Sequence, residues 1–215
     1  MALPADAVWT EFSGIVPVLR FASLPLFPYA VSPFQFTQPG QRIAIEEALK
    51  DQGVVLLLAT ESDGLRTEPP GLGSLAKINV CCPMGDHSLR VTLRGLVRAE
   101  VVEMHSSGLF QVRAVADRYP SPPAIDRIHR RQELLAEARA CCRDQFPLPL
   151  ETLVTQEVSL GCLCDVLAQG LSLSAEAKQE LLTISNVDYR SDLLLDHLRA
   201  EQRRKLEYPP RFSSN

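Results

Sequence analysis

The chain has 215 residues, of which 46% are hydrophobic and 22% are charged, and its formal net charge is −4. This length allows one large domain or two small ones, and the composition is that of a globular protein able to bury a core. The acidic balance does not resemble the basic composition that is typical of a nucleic-acid binder.

The sequence also bears on where the protein acts. No apolar run reaches the ~18 residues needed to span a bilayer, so no membrane association is predicted. The segment 1–14 carries acidic residues and no basic stretch, which argues against a secretory signal. We therefore expect a cytoplasmic protein.

The first half of the chain carries mainly strand signals. Residues 24–36 are apolar and rich in proline, which predicts an edge strand with extended flanks. Residues 41–53 have helical periodicity, and the continuous apolar run 54–60 predicts a buried strand. Three more strands are predicted, at 74–83, 89–104 and 109–119. Together these elements predict a small twisted sheet or barrel.

The composition changes at residues 119–127, where three prolines in five residues mark a boundary. Beyond this boundary, helical periodicity predicts four helices, at 124–146, 158–171, 174–184 and 187–207. Ser174 is the expected N-cap of the third helix, and Asp188 is expected to open the fourth. The chain is therefore predicted to be α+β, with a β-rich subdomain over 1–119 and a helical subdomain over 120–215.

The segment GLGSLAKINV at 71–80 has glycines and a lysine, as a phosphate loop does. A P-loop needs G-x-x-x-x-G-K-[ST] before a helix, whereas here Lys77 is followed by Ile78 and the segment opens a strand. The motifs of serine hydrolases and zinc proteases are missing as well. The sequence therefore favours a binding module over an enzyme, with no cofactor and no metal.

Six cysteines occur, in the adjacent pairs 81–82 and 141–142 and at 162 and 164. Because their spacing lacks C-x-x-C and nearby histidines, a zinc site is not expected, and we interpret them as packing thiols. One enzymatic alternative stays open. Cys81 or Cys82 could meet His87 across a hairpin and be activated by it.

Several weak motifs occur in a definite order along the chain. They are a Leu-Pro-Leu run, a Gly-Ser-x-Ala-Lys-Ile segment, a Gly-x-x-Arg segment formed by Gly95 and Arg98, and three helical motifs at 163–165, 178–182 and 190–198. This order resembles the N-terminal substrate-binding domain of the Lon protease family over residues 23–200. No single motif is specific, and the resemblance depends on their order.

The resemblance implies a fold and a function. The fold would be a PUA-like barrel, of the pseudouridine-synthase-and-archaeosine-transglycosylase type, joined to a helical bundle. Ala76 and Ile78 would point inward, with Lys77 on the surface. The function would be non-catalytic binding of polypeptide substrates by a free-standing domain in protein quality control, since the ATPase and Ser-Lys protease modules of full Lon proteases would lie beyond this chain.

The expected binding site is the proline-rich edge segment. Its apolar side chains are Leu24, Leu26, Phe27, Tyr29, Phe34 and Phe36. An extended edge can accept a strand from a partner, although alternation along a strand requires part of this set to face the core. The expected partners are unfolded or misfolded polypeptides, or a separate protease.

Two alternatives to this function remain. The chain could be an adaptor for a single protein partner, which the sequence does not distinguish from a substrate-binding domain. It could also be a PUA-like binder of nucleic acid or a small molecule. RNA readers need a basic surface or stacking aromatics, and this acidic chain has only 6% aromatic residues, so no nucleic acid is expected as a partner.

Overall fold

The computed structural model describes residues 14–21, 25–59, 72–85, 88–105, 108–142 and 158–207. The strands are β1 (Ile15–Val16), β2 (Val18–Phe21), β3 (Val31–Phe36), β4 (Val54–Ala59), β5 (Leu72–Pro83), β6 (Leu89–Met104) and β7 (Phe110–Val115). The helices are α1 (Pro39–Lys50), α2 (Arg127–Cys142), α3 (Leu160–Gly170), α4 (Ala175–Thr183) and α5 (Val187–Glu207). The predicted α+β class is confirmed.

The chain divides into two compact units. The first contains the described residues up to Ala116 together with Ser174–Thr183, which includes α4. The second contains α2, α3 and α5. The predicted boundary between subdomains at residues 119 and 120 stays a prediction. The two compact units differ from those subdomains, because α4 groups with the sheet. There the Arg98 Nε donates a hydrogen bond to the carbonyl of Leu182, at 2.8 Å.

The strands form one mixed sheet that curls into a half-barrel. Its order is β1-β7-β6-β5-β4-β2, and β3 pairs with β6 outside this path. The β2–β4 pair is parallel, and the other pairs are antiparallel. The predicted strands are all present. The short β1 and β2 were not predicted from the sequence.

The longest strand, β6, organises the sheet. One of its edges pairs with β5 along most of its length. The other edge pairs with β3 over Leu89–Arg94 and with β7 over Arg98–Met104. Because a strand has only two edges, β3 and β7 share one edge of β6, and the chain must separate them near residue 95.

Gly95 lies at this point of separation. The Tyr29 N–H donates to the Gly95 carbonyl at 2.9 Å, and the Gly95 N–H donates to the Ala30 carbonyl at 2.8 Å. A Cβ at position 95 would overlap the carbonyl of Phe27. The register between β5 and β6 shifts here and leaves Leu96 unpaired, as in a β-bulge. Gly95 therefore allows one backbone to approach another at the bend of the sheet.

Apolar side chains pack on both faces of β4. Val55 and Leu57 belong to one core cluster, which α1 joins through Ile45 and Ala48. The alternate residues of β4 belong to a second cluster. A strand buried on both faces has a continuous apolar sequence instead of an alternating one, which is why the prediction of a buried strand at 54–60 is confirmed.

In the helical unit, α2 and α5 run parallel to each other. Arg127 near the start of α2 pairs with Asp188 near the start of α5, with 2.6 Å between Nε and Oδ1. Further along both helices, Glu137 lies 3.6 Å from the Nε of Arg199. Between these ion pairs, buried leucines of both helices and Ala138 of α2 form the core.

A buried arginine connects three segments of the helical unit. Arg190 of α5 is 1% exposed, and its Nη2 donates to Asp117 at 2.8 Å while its Nε lies 3.5 Å from Asp165 of α3. Its Nη1 donates to the Ile184 carbonyl at 2.8 Å. Gly161 packs against this cluster and leaves no space for a side chain. Burying a charge is costly unless it is paired, and two carboxylates pair this one.

The sequence predicted which residues begin α4 and α5, and the structure agrees with one of these two predictions. Ser174 caps α4, because its Oγ accepts a hydrogen bond from the Ala177 N–H at 3.2 Å, so this prediction is confirmed. The prediction for Asp188 is wrong. The Oδ1 of Asn186 accepts from the N–H groups of residues 188 and 189 and caps α5. Asp188 lies in the first turn, where its carboxylate pairs with Arg127.

Replacing Gly95 with alanine is expected to destabilise the sheet unit by about 1–3 kcal/mol, because the new Cβ must displace the backbone of Phe27. Gly40→Ala is the matched control, since a Cβ at Gly40 in α1 meets nothing within 4 Å and alanine favours a helix by up to about 1 kcal/mol. Urea unfolding measures both. An unchanged midpoint for Gly95→Ala would contradict the close approach.

Replacing Arg190 with methionine is expected to lower the free energy of unfolding by about 3–5 kcal/mol, because two carboxylates lose their buried partner. The control is Arg199→Met, where a half-exposed arginine loses two ion pairs, each worth about 0–1 kcal/mol. Thermal unfolding followed by helical circular dichroism compares them. Equal losses in both variants would show that burial of the Arg190 cluster does not matter.

Candidate functional site

Three of the six residues predicted to bind substrate are buried. Leu26 and Phe36 belong to the core cluster that also includes α1, and Phe27 is 0% exposed. Phe36 lies on the inward-facing side of β3, and Leu26 and Phe27 are enclosed before the strand begins. In this fold these three side chains stabilise the core and are not accessible to a partner.

The other three predicted residues have different positions. Leu24 lies outside the described residues. Phe34 is half-buried, and its ring stacks with that of Phe36 at 6.1 Å between centroids. Tyr29 is 42% exposed and has a left-handed backbone with φ of 69°. Tyr29 is thus the one described member of the set whose side chain is mainly exposed.

The same strand presents other residues to solvent, because side chains alternate along it. Phe36 points into the core, so Val31, Pro33 and Gln35 point outward. The neighbouring strands follow the same alternation, since Leu89, Val91 and Leu93 of β6 are buried. We call this exposed side of β3, β6 and β5 the outer face, which consists of Val31, Pro33, Gln35, Arg90, Thr92, Arg94, Lys77, Val80 and Cys82.

Apolar side chains lie close together on the outer face. Pro33 and Val80 are both paired with Thr92, on its two sides, and Val31 is two residues from Pro33 on the same face. Val31 is 57% exposed and Val80 is 51% exposed. Neighbouring strands are about 4.8 Å apart, so Pro33 and Val80 are separated by about 10 Å with Thr92 between them. The three exposed apolar side chains thus form a small patch that Thr92 interrupts.

Positive charge surrounds this patch. Arg94 is paired with Val31 and Lys77, and Arg90 is paired with Gln35 and Cys82. Among the described residues, neither Arg90 nor Arg94 has an ion-pair partner. The Nζ of Lys77 donates a hydrogen bond to the Gln52 carbonyl. No acidic residue occupies any position of the outer face, so its charge is positive although the whole chain is acidic.

The free edge of β3 is less suited to binding than the outer face. Within the described part of the chain, β3 pairs only with β6. The Gly95 N–H donates to Ala30, and ladder bonds recur at every second residue, so the backbone groups of Val31, Pro33 and Gln35 point away from β6. Pro33 has no N–H to offer there. An added strand would lack a donor at the centre, which disfavours strand addition.

A cavity of ≈10 Å³ lies in the first unit between Pro25, Leu57 and Leu182. Two buried polar atoms at this place, Ser74 Oγ and Gln179 Oε1, have no hydrogen-bond partner. A cavity of this size has room for about one water molecule. The cavity is therefore too small for a cofactor or a small-molecule ligand.

The thiols of Cys81 and Cys162 are not activated for nucleophilic chemistry. Burial, and then the Asp165 and Asp117 carboxylates, raise the pKa of Cys162 to about 11. Burial and the neighbouring Cys82 raise the pKa of Cys81 as well. A nucleophilic cysteine needs a lowered pKa. His87, the predicted activating residue, lies outside the described residues, so its pairing with Cys81 or Cys82 stays a prediction.

The described residues also indicate how far this chain is equipped to bind a metal ion or to cross a membrane. No group of three histidine, cysteine or acidic side chains within these ranges is arranged to hold a metal ion. None of the described helices combines the length and apolar character needed to cross a bilayer.

Comparison with known proteins identifies the family. The model described as the ATP-dependent protease La (LON) substrate-binding domain matches residues 15–200. The Lon protease of Syntrophomonas wolfei is 26% identical over an alignment of 197 residues. The alignment covers 86% of this chain and 24% of that protein. The Lon protease of Solibacter usitatus is 28% identical over an alignment of 177 residues. The alignment covers 79% of this chain and 22% of that protein.

Solved structures agree with this fold. The N-terminal domain of a Mycobacterium avium complex Lon protease superposes with a TM-score of 0.69 and is 22% identical, covering 86% of this chain and 98% of that one. A Lon N-terminal domain protein from Xanthomonas campestris has a TM-score of 0.59 and 17% identity, covering 85% and 97%.

The chain therefore belongs to the family of Lon substrate-binding domains, which confirms the resemblance predicted from the order of motifs. The chain spans about a quarter of the length of the curated relatives that it matches. The match thus concerns the substrate-binding part of those proteases.

The sequence contained a signal for the outer face that was not used. In residues 31–36, Val, Pro and Gln at the odd positions alternate with Ser, Phe and Phe at the even positions. The larger aromatic side chains bury more surface when they face the core. In residues 89–94, arginines alternate with leucines and valine in the same way. What the sequence lacks is the register that brings these two alternating strands side by side.

The thiol of Cys162 is expected to react about 100-fold more slowly than an ordinary thiol at pH 8, since its pKa of about 11 compares with a usual 9.0. Its rate should increase about tenfold per pH unit up to pH 10, as thiolate forms. Pulsed iodoacetamide labelling with peptide mass spectrometry measures it, with exposed Cys82 as the internal control. A rate that levels off below pH 9 would contradict the raised pKa and revive thiol catalysis.

Proposed function

We propose that this chain binds exposed apolar segments of unfolded or misfolded polypeptides through the outer face, and that it has no catalytic activity of its own. The main support is the coincidence of two findings. The family is one of substrate-binding domains, and the apolar side chains of Val31, Pro33 and Val80 lie together on an exposed sheet face.

The outer face favours side-chain contacts over backbone pairing. Pro33 removes the central donor from the edge of β3, so a client in an extended conformation gains little by adding to the sheet. Lying across the face, the same client can cover the two valines and the proline. Burying such a side chain completely contributes about 1.5–3 kcal/mol. Three half-exposed side chains therefore support weak binding after the cost of association is subtracted.

Weak binding suits a role in protein quality control. We infer that a client is held briefly in the cytoplasm and passed to a separate protease, because the relatives that share this domain are Lon proteases. The lack of catalysis is part of the same proposal. It is supported by the raised pKa values of Cys81 and Cys162 and by a match confined to a substrate-binding domain.

Replacing Val31 and Val80 with serine is expected to weaken binding of a fluorescein-labelled, permanently unfolded polypeptide by about 3–10-fold, because apolar area is lost from the outer face. Fluorescence anisotropy measures the affinity. The matched control is Val102→Ser, because Val102 is 57% exposed, as Val31 is, and lies on β6 beyond the outer face.

The control variant should bind as the wild type does. If all variants bind equally well, the site is elsewhere on the chain. If the wild type itself does not bind unfolded polypeptides while a single folded protein is retained from lysate, the chain is a dedicated adaptor and the proposed function is wrong.

A further inference from the structure

The outer face has a charge pattern that the proposed function alone does not explain. The chain has a formal net charge of −4, yet this face has three cationic residues and no acidic one. Substrate binding by apolar contact needs no such charge. A face of one sign on a chain of the opposite net sign favours partners of complementary charge.

The cations have a regular arrangement around the apolar patch. Arg90 and Arg94 lie four residues apart on the same side of β6, and Thr92, between them, is paired with Pro33 and Val80. With a rise of about 3.3 Å per residue, the two arginines are separated by about 13 Å along the strand. Along the strand direction, Pro33 and Val80 therefore lie between Arg90 and Arg94, and Val31 is level with Arg94.

We propose that the outer face selects client segments in which an apolar centre is flanked by two acidic residues about 13 Å apart. This inference rests on the proposed function. In an extended chain this spacing corresponds to acidic residues four positions apart, as in Glu-x-Leu-x-Glu. Each carboxylate reaches one arginine, and the apolar side chain between them covers Pro33 and Val80.

The energetics fit a selective but weak contact. Ion pairs between exposed groups contribute about 0.2–1 kcal/mol each and are screened by salt over about 10 Å at 0.1 M ionic strength. Two such pairs correspond to a preference of about 2–30-fold over a neutral segment. Arg90 and Arg94 are available for these pairs because neither has an ion-pair partner among the described residues.

Phosphates also bind guanidinium groups, so single-stranded RNA is the competing ligand. RNA readers stack bases on aromatic side chains, and the outer face has no aromatic residue. Its centre is apolar where a nucleotide backbone would need further donors. The arrangement thus favours an acidic and apolar peptide.

The test uses labelled peptides of equal length with the same apolar centre. One has glutamates four positions apart, one has glutamines at the same positions, one has lysines there, and one has two adjacent glutamates. We expect the affinity to fall in the order Glu, Gln, Lys. We also expect the adjacent-glutamate peptide to bind more weakly than the spaced one, and the preference for glutamate to disappear at 0.5 M NaCl, where screening is strong.

Two variants with the same change in net charge complete the experiment. Arg90→Gln with Arg94→Gln should reduce the affinity for the glutamate peptide by about 2–30-fold and leave the glutamine peptide unaffected. Arg203→Gln with Arg204→Gln, on an exposed part of α5, should change neither.

The outcomes separate this inference from the proposed function. If the glutamate and glutamine peptides bind equally, the charge selection is overturned while the binding of apolar segments stands. If no peptide binds, both are overturned. If a single-stranded RNA of equal length displaces the glutamate peptide at lower concentration than unlabelled peptide does, the outer face is a nucleic-acid surface and the inference is wrong.

Discussion

The sheet depends on the close approach of one backbone segment to Gly95. The carbonyl of Phe27 occupies the space where a side chain at position 95 would stand, and two backbone hydrogen bonds join Gly95 to Tyr29 and Ala30. This contact ends the pairing of β3 with β6 and leaves the rest of the same edge to β7. The bulge at Leu96 bends the sheet at the same place. A side chain larger than hydrogen at position 95 is incompatible with this arrangement.

The same contact determines which residues are available for function. It fixes the register of β3 against β6, and a shift of one residue would exchange the two faces of the strand. In the observed register Phe34 and Phe36 face the core while Val31 and Pro33 face solvent. Pro33 is tolerated because its missing N–H would have pointed away from β6. The outer face is therefore a consequence of the fold and not a separate addition to it.

Periodicity predicted β6 and the helices, and a continuous apolar run predicted β4. Periodicity did not predict β1 and β2, which have two and four residues and exist through pairing with β7 and β4. Charged side chains such as Asp165, Lys178 and Arg190 read as surface residues in sequence but are buried, since contacts distant in sequence decide their environment. Of the residues predicted as the binding site, Leu26, Phe27 and Phe36 face the core, because the exposed face of a strand is defined only once its register is known.

The outer face is the exposed face of a sheet, and the cavity of ≈10 Å³ is too small to hold a client side chain. Recognition on a flat surface depends on the apolar area covered and on the placement of charge. Apolar area gives affinity without selecting a sequence, whereas fixed arginines discriminate by charge and spacing. Because exposed ion pairs are weak, they can favour one class of segment without slowing its release greatly. Under the proposed function, passing a client onward requires short residence times, and a small apolar patch with flanking arginines is consistent with this requirement.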